Sequence, residues 1–299
     1  MRWRGIQKFN VIEANEYRGL LGQPLGKKFH VNGLTGSDGY SGENKNNPLK
    51  TIKHALSKCV NDRDDYIFVH DCWAQETFPI TIDKSRVHII GVGVPSMNLY
   101  PQLFGDGENI FELNANYVEI AGFGFVSVGA SAIVSGAATP SYGWIHHCTF
   151  ATAALSLLNG IAVVGSQMGN MLIEDNIFGS NITNDGITGQ FVNCIIRNNI
   201  FRDCANVAVN LGGVEIGAII GNYFYQVIPA STAGWGITLA LNANGGIIAN
   251  NVGSATGDET AGGNPYRDLS SGSTIGTVLN GWVNNHWGAQ ATPQIPAVV

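Results

Sequence analysis

The sequence predicts an all-β chain: a right-handed, single-stranded parallel β-helix with one short capping helix near its N-terminus. Three observations carry that expectation. A short pattern recurs: an aliphatic residue, two variable residues, often Asn, one variable residue, then Phe or a substitute. Its copies are spaced with a floor near 23 residues and variable additions, as a coil of fixed backbone length with loops of varying size requires. Gly makes up 39 of 299 residues and charged residues only 13%, which suits many short strands joined by turns and excludes a helical bundle.

The clearest copies are Ile145 to Phe150 with Cys148 at the Asn position, Ile173 to Phe178 with Asn176, Ile196 to Phe201 with Asn199, and Ile219 to Phe224 with Asn222. Ile247 to Val252 with Asn250 and Trp282 to Trp287 with Asn285 extend the series, and Ile89 to Val94 and Ile120 to Phe125 keep the aliphatic ends without the Asn. The ends fall at 94, 125, 150, 178, 201, 224, 252 and 287. Alternation along a strand sends Ile, Phe and Val inward and polar residues outward. Stacked coils then place like over like, so the Asn residues form an inward ladder of amides. Right-handedness follows from the chirality of parallel crossovers.

The elements follow in order. Residues 1–28 form an N-terminal arm, 29–65 a cap, 66–290 the β-helix and 291–299 a C-terminal tail. In the cap, Leu49, Ile52, Ala55, Leu56 and Cys59 share a face at helical spacing, and Pro48 suits the first turn. A helix here covers the open end of a solenoid, which otherwise exposes a strand edge. In the arm, Arg2, Trp3, Arg4 and Phe9 suit contact with another chain.

Charge is uneven. Residues 1–86 hold 13 of the 16 Lys and Arg and 10 acids, a net of +3. Residues 87–299 hold Arg197, Arg202 and Arg267 against 12 acids, a net of −9, so nucleic acid is excluded as a partner of the shaft. Apolar stretches are too short to span a membrane, and the start has no apolar core of a secretory signal. Cys59, Cys72, Cys148, Cys194 and Cys204 form no paired motif, so they are expected as reduced, mostly buried thiols.

A resemblance adds to this. Phe29 to Gly39, Asn47 to Ile52, Asp65 to Val69, Ile80 to Asp83 and Val87 to Gly91 resemble, in that order, the N-terminal part of pectate-lyase-like right-handed β-helix proteins, many of them phage virion proteins or tailspikes. The resemblance covers residues 29–290, but His70 to Glu76 replace the family's usual Pro-Gly turn. It implies a virion protein, made in the host cytoplasm and assembled as a homotrimer. Its implied partners are major capsid or tail proteins and a host surface glycan.

Catalysis on such a shaft needs two convergent carboxyls for hydrolysis, or a base and an acidic Ca²⁺ site for elimination. Glu174, Asp175, Asp203 and Asp185 are the acids clustered in adjacent coils, with Arg197 stacked on Glu174. Asp175 and Asp203 as acid and base, with Glu174 and Arg197 beside them, form the catalytic alternative, that of a tailspike depolymerase. His146 and His147 are expected to face opposite ways, so neither metal nor cofactor is expected. Trp144 and Trp235, with Tyr266 and Arg267 on the long Gly253 to Thr277 excursion, are the candidates for glycan binding. The favoured expectation is a structural virion protein without enzymatic activity, with a non-catalytic glycan-binding module as a further alternative.

Overall fold

The computed structural model describes residues 26–71, 76–93, 101–151, 156–165, 167–213, 215–226, 235–240, 243–255, 266–269, 280–287 and 297–298. Arg2, Trp3, Arg4, Phe9, Cys72, Val94 and most of the Gly253 to Thr277 excursion lie outside them.

Three parallel sheets of ten, eight and ten strands run along the shaft, each strand pairing with its counterparts in neighbouring coils. This is the expected parallel β-helix. Sheet one begins with the strand Lys28–Asn32 and continues through Asp65–Asp71, Val87–Gly91, Glu119–Ala121, Trp144–His146, Leu172–Glu174 and Cys194–Arg197. Its inward row is Ile67, Ile89, Ile120, Ile145, Ile173, Ile196, Ile219 and Ile248, all buried. β-Branched side chains fit a pleated surface packed on one side, which is why this row reads Ile.

Sheet two stacks Phe125, Phe150, Phe178, Phe201 and Phe224 in register. Ring centroids are 4.5 Å apart for Phe150–Phe178 and Phe178–Phe201, close to the strand spacing. Leu103 occupies the preceding position. Between the sheets the Asn ladder runs Asn176, Asn199, Asn222, Asn251 and Asn285, each buried. From Asn199 onward each Oδ1 accepts from the backbone N and the Nδ2 of the ladder residue one coil earlier. Each Nδ2 from Asn176 onward also donates to the carbonyl of an inward residue, as Asn199 does to Ile173 at 2.9 Å. Cys148 heads the ladder, its N–H donating to Asn176 Oδ1 at 2.9 Å.

Two expectations shift by a few residues. The fifth copy slips by one: Asn251 stands in the ladder, Asn250 takes the turn, and Gly253 takes the Phe position. Ile248 is buried there and Ile247 is 57% exposed. The doubled Ile247-Ile248 and Asn250-Asn251 fit the pattern in either frame, and the pairing with Ala218 and Ile219 sets the frame. The helix spans Ile52–Lys58 and begins after Pro48. Thr51 caps it through a bond from His54 N, and Asp38 accepts from Lys50 N and Thr51 N, which holds Thr51 outside the helix. The expected apolar face of Leu49, Ile52, Ala55, Leu56 and Cys59 is buried.

The corner between sheets one and two carries a second row. Gly122, His147, Asp175, Asn198, Gly221, Asn250 and Asn284 each have φ between 52° and 73°. Gly, Asn, Asp and His are the residue types that most often take this left-handed conformation.

Candidate functional site

The outer face of sheet one carries chemistry over seven neighbouring strands, a strip about 29 Å long at ~4.8 Å per strand. Alternation places two outward rows on it. One reads Tyr66, His88, Glu119, Trp144, and the other reads His30, Phe68, Ile90, Ala121, His146, Glu174, Arg197.

Glu119 is the hub. Its Oε2 meets His88 Nδ1 at 2.5 Å and its Oε1 meets His146 Nε2 at 2.8 Å, on the strands either side. Burial pushes the Glu119 carboxyl up, but the hydrogen bonds and charges of His146 and His88 outweigh it and bring it to about 2. Glu119 is therefore a carboxylate that accepts from both imidazoles. Beyond it, His146 Nδ1 lies 2.7 Å from Nδ1 of His147.

Trp144 stacks on His146, ring centroids 3.7 Å apart, and donates through Nε1 to Glu174 Oε1 at 2.9 Å. Arg197 Nε donates to Glu174 Oε2 at 2.5 Å, while its side chain stays 47% exposed. Toward the N-terminus, Tyr66 stacks on His88 at 4.2 Å, and His30 on Phe68 at 5.6 Å. His30 Nδ1 is 2.9 Å from His70 Nε2. Aromatic faces, open edges and one half-exposed guanidinium match what a sugar chain offers: apolar ring faces and polar rims. The contacts of Glu119 with the two histidines are direct hydrogen bonds, and among the described residues no cluster of three or more His, Cys, Asp or Glu is arranged for a metal ion.

The structure places the sequence-derived candidates as follows. Glu174 and Arg197 form the expected ion pair, with Glu174 more buried than an exposed pair requires. Asp175 sits exposed in the corner row next to His147, and Asp203 takes a left-handed turn after Arg202. Asp185 is buried and saturated by Asn206 Nδ2, Val207 N and Asn210 Nδ2, a structural bracket on sheet three. Trp144 is exposed on the strip. Tyr266 is corrected as a glycan contact: it is fully buried, its hydroxyl donating to backbone carbonyls of Asn251 and His286. Alternation along the strand Tyr266–Asp268 of sheet three turns it inward, in register with the buried Ile237. Side chains of Trp235, Arg267 and Trp287 lie outside the described residues.

His147 departs from the expected alternation. It is exposed on the same side as His146, because the chain turns at 147 with φ 52°. Glu119 and His88 carried no signal in the recurrent motif, since their coils lack its Asn. Aligning Ile89, Ile120 and Ile145 as stacked positions puts His88, Glu119 and Trp144 one residue before each, and that alignment finds the hub.

No family model matches the chain, and no curated protein matches it. Among solved structures it is similar to GH136 lacto-N-biosidase from Eubacterium ramulus, with a TM-score of 0.45 and 11% identity over 76% of this chain. It spans 60% of that chain's length. The native form of the same protein gives a TM-score of 0.43 at 10% identity over 82% of this chain and 59% of that one. A rhamnogalacturonan lyase gives 0.42 at 12% identity over 87% of this chain and 73% of that one. These neighbours are carbohydrate-active β-helix enzymes. The expectation of a chain without enzymatic activity is corrected accordingly: its structural neighbours are a glycoside hydrolase and a polysaccharide lyase. Acidic and basic side chains converge on this face at Glu119, His88, His146 and His147.

Proposed function

We propose that this chain is a polysaccharide depolymerase of the tailspike kind, binding and cleaving a glycan along the outer face of sheet one. One observation carries the reading: the continuous run of contacts, hydrogen bonds throughout except for the Trp144–His146 ring stack, from Arg197 through Glu174, Trp144 and His146 to Glu119 and His88. Structural surface residues are ordinarily solvated singly. Here five successive strands spend their outward positions on imidazole, carboxylate, indole and guanidinium groups held in fixed geometry, which is the preorganisation a binding and reacting surface requires.

The proposal extends to place and assembly. The chain is carried on a virion as a homotrimer, meeting capsid or tail proteins through the arm at 1–28 and a host surface glycan through the strip. The resemblance of residues 29–91 to phage β-helix proteins and the basic arm support this.

The test is incubation of the full chain with capsular and lipopolysaccharide glycans, following binding and the release of shorter chains. Binding and cleavage that fall together in Trp144→Ala support the reading. Binding that survives Trp144→Ala and Arg197→Ala unchanged contradicts it.

A further inference from the structure

The turn that leads into sheet one carries a row of its own. Arg86, Tyr117, Tyr142, Asn170 and Asn193 hold equivalent places in five successive coils, each with φ between 51° and 60°. In the first four, the N–H donates to the carbonyl of the residue just before the next member, as Tyr117 N does to Ser141 O and Tyr142 N to Gly169 O, both at 2.9 Å. Asn is an ordinary occupant of this left-handed conformation. Tyrosine is not, because a bulky side chain crowds the backbone there. Two consecutive coils therefore place a tyrosine where the next two place an Asn.

The bonds that hold the turn use other residues. Asn61 Oδ1 accepts from Ser85 N at 2.8 Å, Ser85 Oγ from Asn116 N at 3.3 Å, and Asn116 Oδ1 from Ser141 N at 2.9 Å. The tyrosines stand in solvent, Tyr117 47% and Tyr142 53% exposed. Their rings lie nearly parallel, 4.9 Å between centroids and 9° between planes. Arg86, one coil earlier, lies over the Tyr117 ring at 5.7 Å, and its Nε donates to Asp64 Oδ1 at 3.0 Å. Asn170, the next member of the row, has no ring and is itself exposed, so the stack ends in the outer face of Tyr142. Backbone strain kept at an exposed, orderly stack is a mark of function.

We propose that the outer face of Tyr142, backed by Tyr117 and Arg86, is a binding platform for a neutral hexopyranose unit of the glycan, at the edge of the strip. The inference rests on the depolymerase reading for its ligand and adds a specificity site to it.

A pyranose carries C–H groups on its faces and hydroxyls on its rim. The C–H face packs on an aromatic face, and the hydroxyls need donors and acceptors at its border. Tyr142 supplies the face, already oriented by the rings behind it. Its hydroxyl and the amide of Asn170 supply the border. Trp144 lies two residues after Tyr142 on the strand that the turn enters, also exposed, so the platform is continuous with the strip.

Charge favours a neutral sugar. The cation in the stack, Arg86, is paired with Asp64. Two residues after Tyr117 stands the Glu119 carboxylate. An acidic sugar on Tyr142 would meet that carboxylate, whereas the half-exposed guanidinium of Arg197 lies two strands farther along the sheet.

The test uses the full chain, with neutral hexasaccharides of glucose, galactose and mannose as probes and the aromatic ¹³C–¹H NMR signals as readout. At least one probe is expected to shift the Tyr142 and Tyr117 ring signals saturably. Tyr142→Asn is expected to weaken its binding about tenfold, the scale of one aromatic contact. The thermal midpoint of that variant should stay at or above wild type, because Asn holds this turn in the next two coils. Tyr142→Phe keeps the face and is expected to lose about threefold at most. Unchanged affinity in Tyr142→Asn overturns the platform, and so do Tyr142 signals that stay still under all three probes. If the variant loses stability together with affinity, the wild-type ring signals decide: saturable shifts support the contact, and their absence overturns it. Shifts at Tyr142 without cleavage of any glycan support the platform and count against the depolymerase reading. Cleavage with Tyr142 unmoved does the reverse.

Discussion

Asn199 Oδ1 accepts two hydrogen bonds from Asn176, one from the backbone N at 3.0 Å and one from Nδ2 at 3.1 Å. The relation repeats down the shaft, so each buried amide closes the valences of the one before it. This stitches the corner of each coil from Cys148 to Asn285 to the next by direct bonds between buried groups.

Asn199→Ala removes the acceptor and leaves the Asn176 N–H groups, the Ile173 carbonyl and Asn222 Oδ1 short of partners. At about 1–3 kcal/mol for a buried polar group left unpaired, we expect a loss of at least ~2 kcal/mol. Urea unfolding reads it as a lower midpoint at unchanged slope. A midpoint equal to wild type contradicts the ladder's role.

Phe201 lies between Phe178 at 4.5 Å and Phe224 at 5.2 Å in the stack. Phe201→Ala opens a cavity in the middle of the core and is expected to cost about 3–5 kcal/mol. Phe201→Leu should recover roughly half. Thermal unfolding of the two variants checks the order, and equal midpoints for both would argue against a packed stack.

Glu119 sets an acid limit. Its carboxyl is depressed from 4.5 to about 2 by His146 and His88 against the opposing effect of burial. A depressed acid stabilises the fold above its unfolded value and loses that contribution as pH falls through its folded value. At ~1.4 kcal/mol per pKa unit, the contribution is at most on the order of 3 kcal/mol, lost between about pH 4.5 and 2. Tyr66, stacked on His88, and Asp64, 3.9 Å from His88 Nε2, complete the titratable surroundings. Glu119→Gln should flatten the stability difference across that window. Parallel curves for wild type and variant would remove Glu119 from the acid response.

Burial pushes the thiols of Cys59 and Cys148 up to about 12 and that of Cys194 to about 11, and raises that of Cys204. The reactive thiolate is scarce at neutral pH. Iodoacetamide at pH 8 should label none of the four in the folded chain and all four in denaturant, as read by peptide mass spectrometry. Rapid labelling of Cys148 in native conditions would mean that the ladder opens readily.

The shaft was legible because its signal is local. Ile, Asn and Phe fall at fixed offsets within six residues, and stacking requires the same residue types in every coil. The frame at Ile247 to Val252 was not, since two Ile and two Asn in tandem fit two registers and only the pairing with the previous coil decides. The hub was hidden for a different reason. Glu119 lies 31 residues from His88 and 27 from His146, and an outward row has no packing constraint to repeat. His147 was misplaced because strand alternation does not extend into a corner residue with positive φ.

The most direct measurement is residue-resolved NMR mapping of an acidic oligosaccharide titrated onto the full chain. The account predicts perturbations confined to Tyr66, His88, Glu119, Trp144, His146, His147, Glu174 and Arg197, with the Arg197 and Trp144 side-chain signals moving most. Saturable binding mapped to sheet two or sheet three, with these signals unmoved, would contradict it.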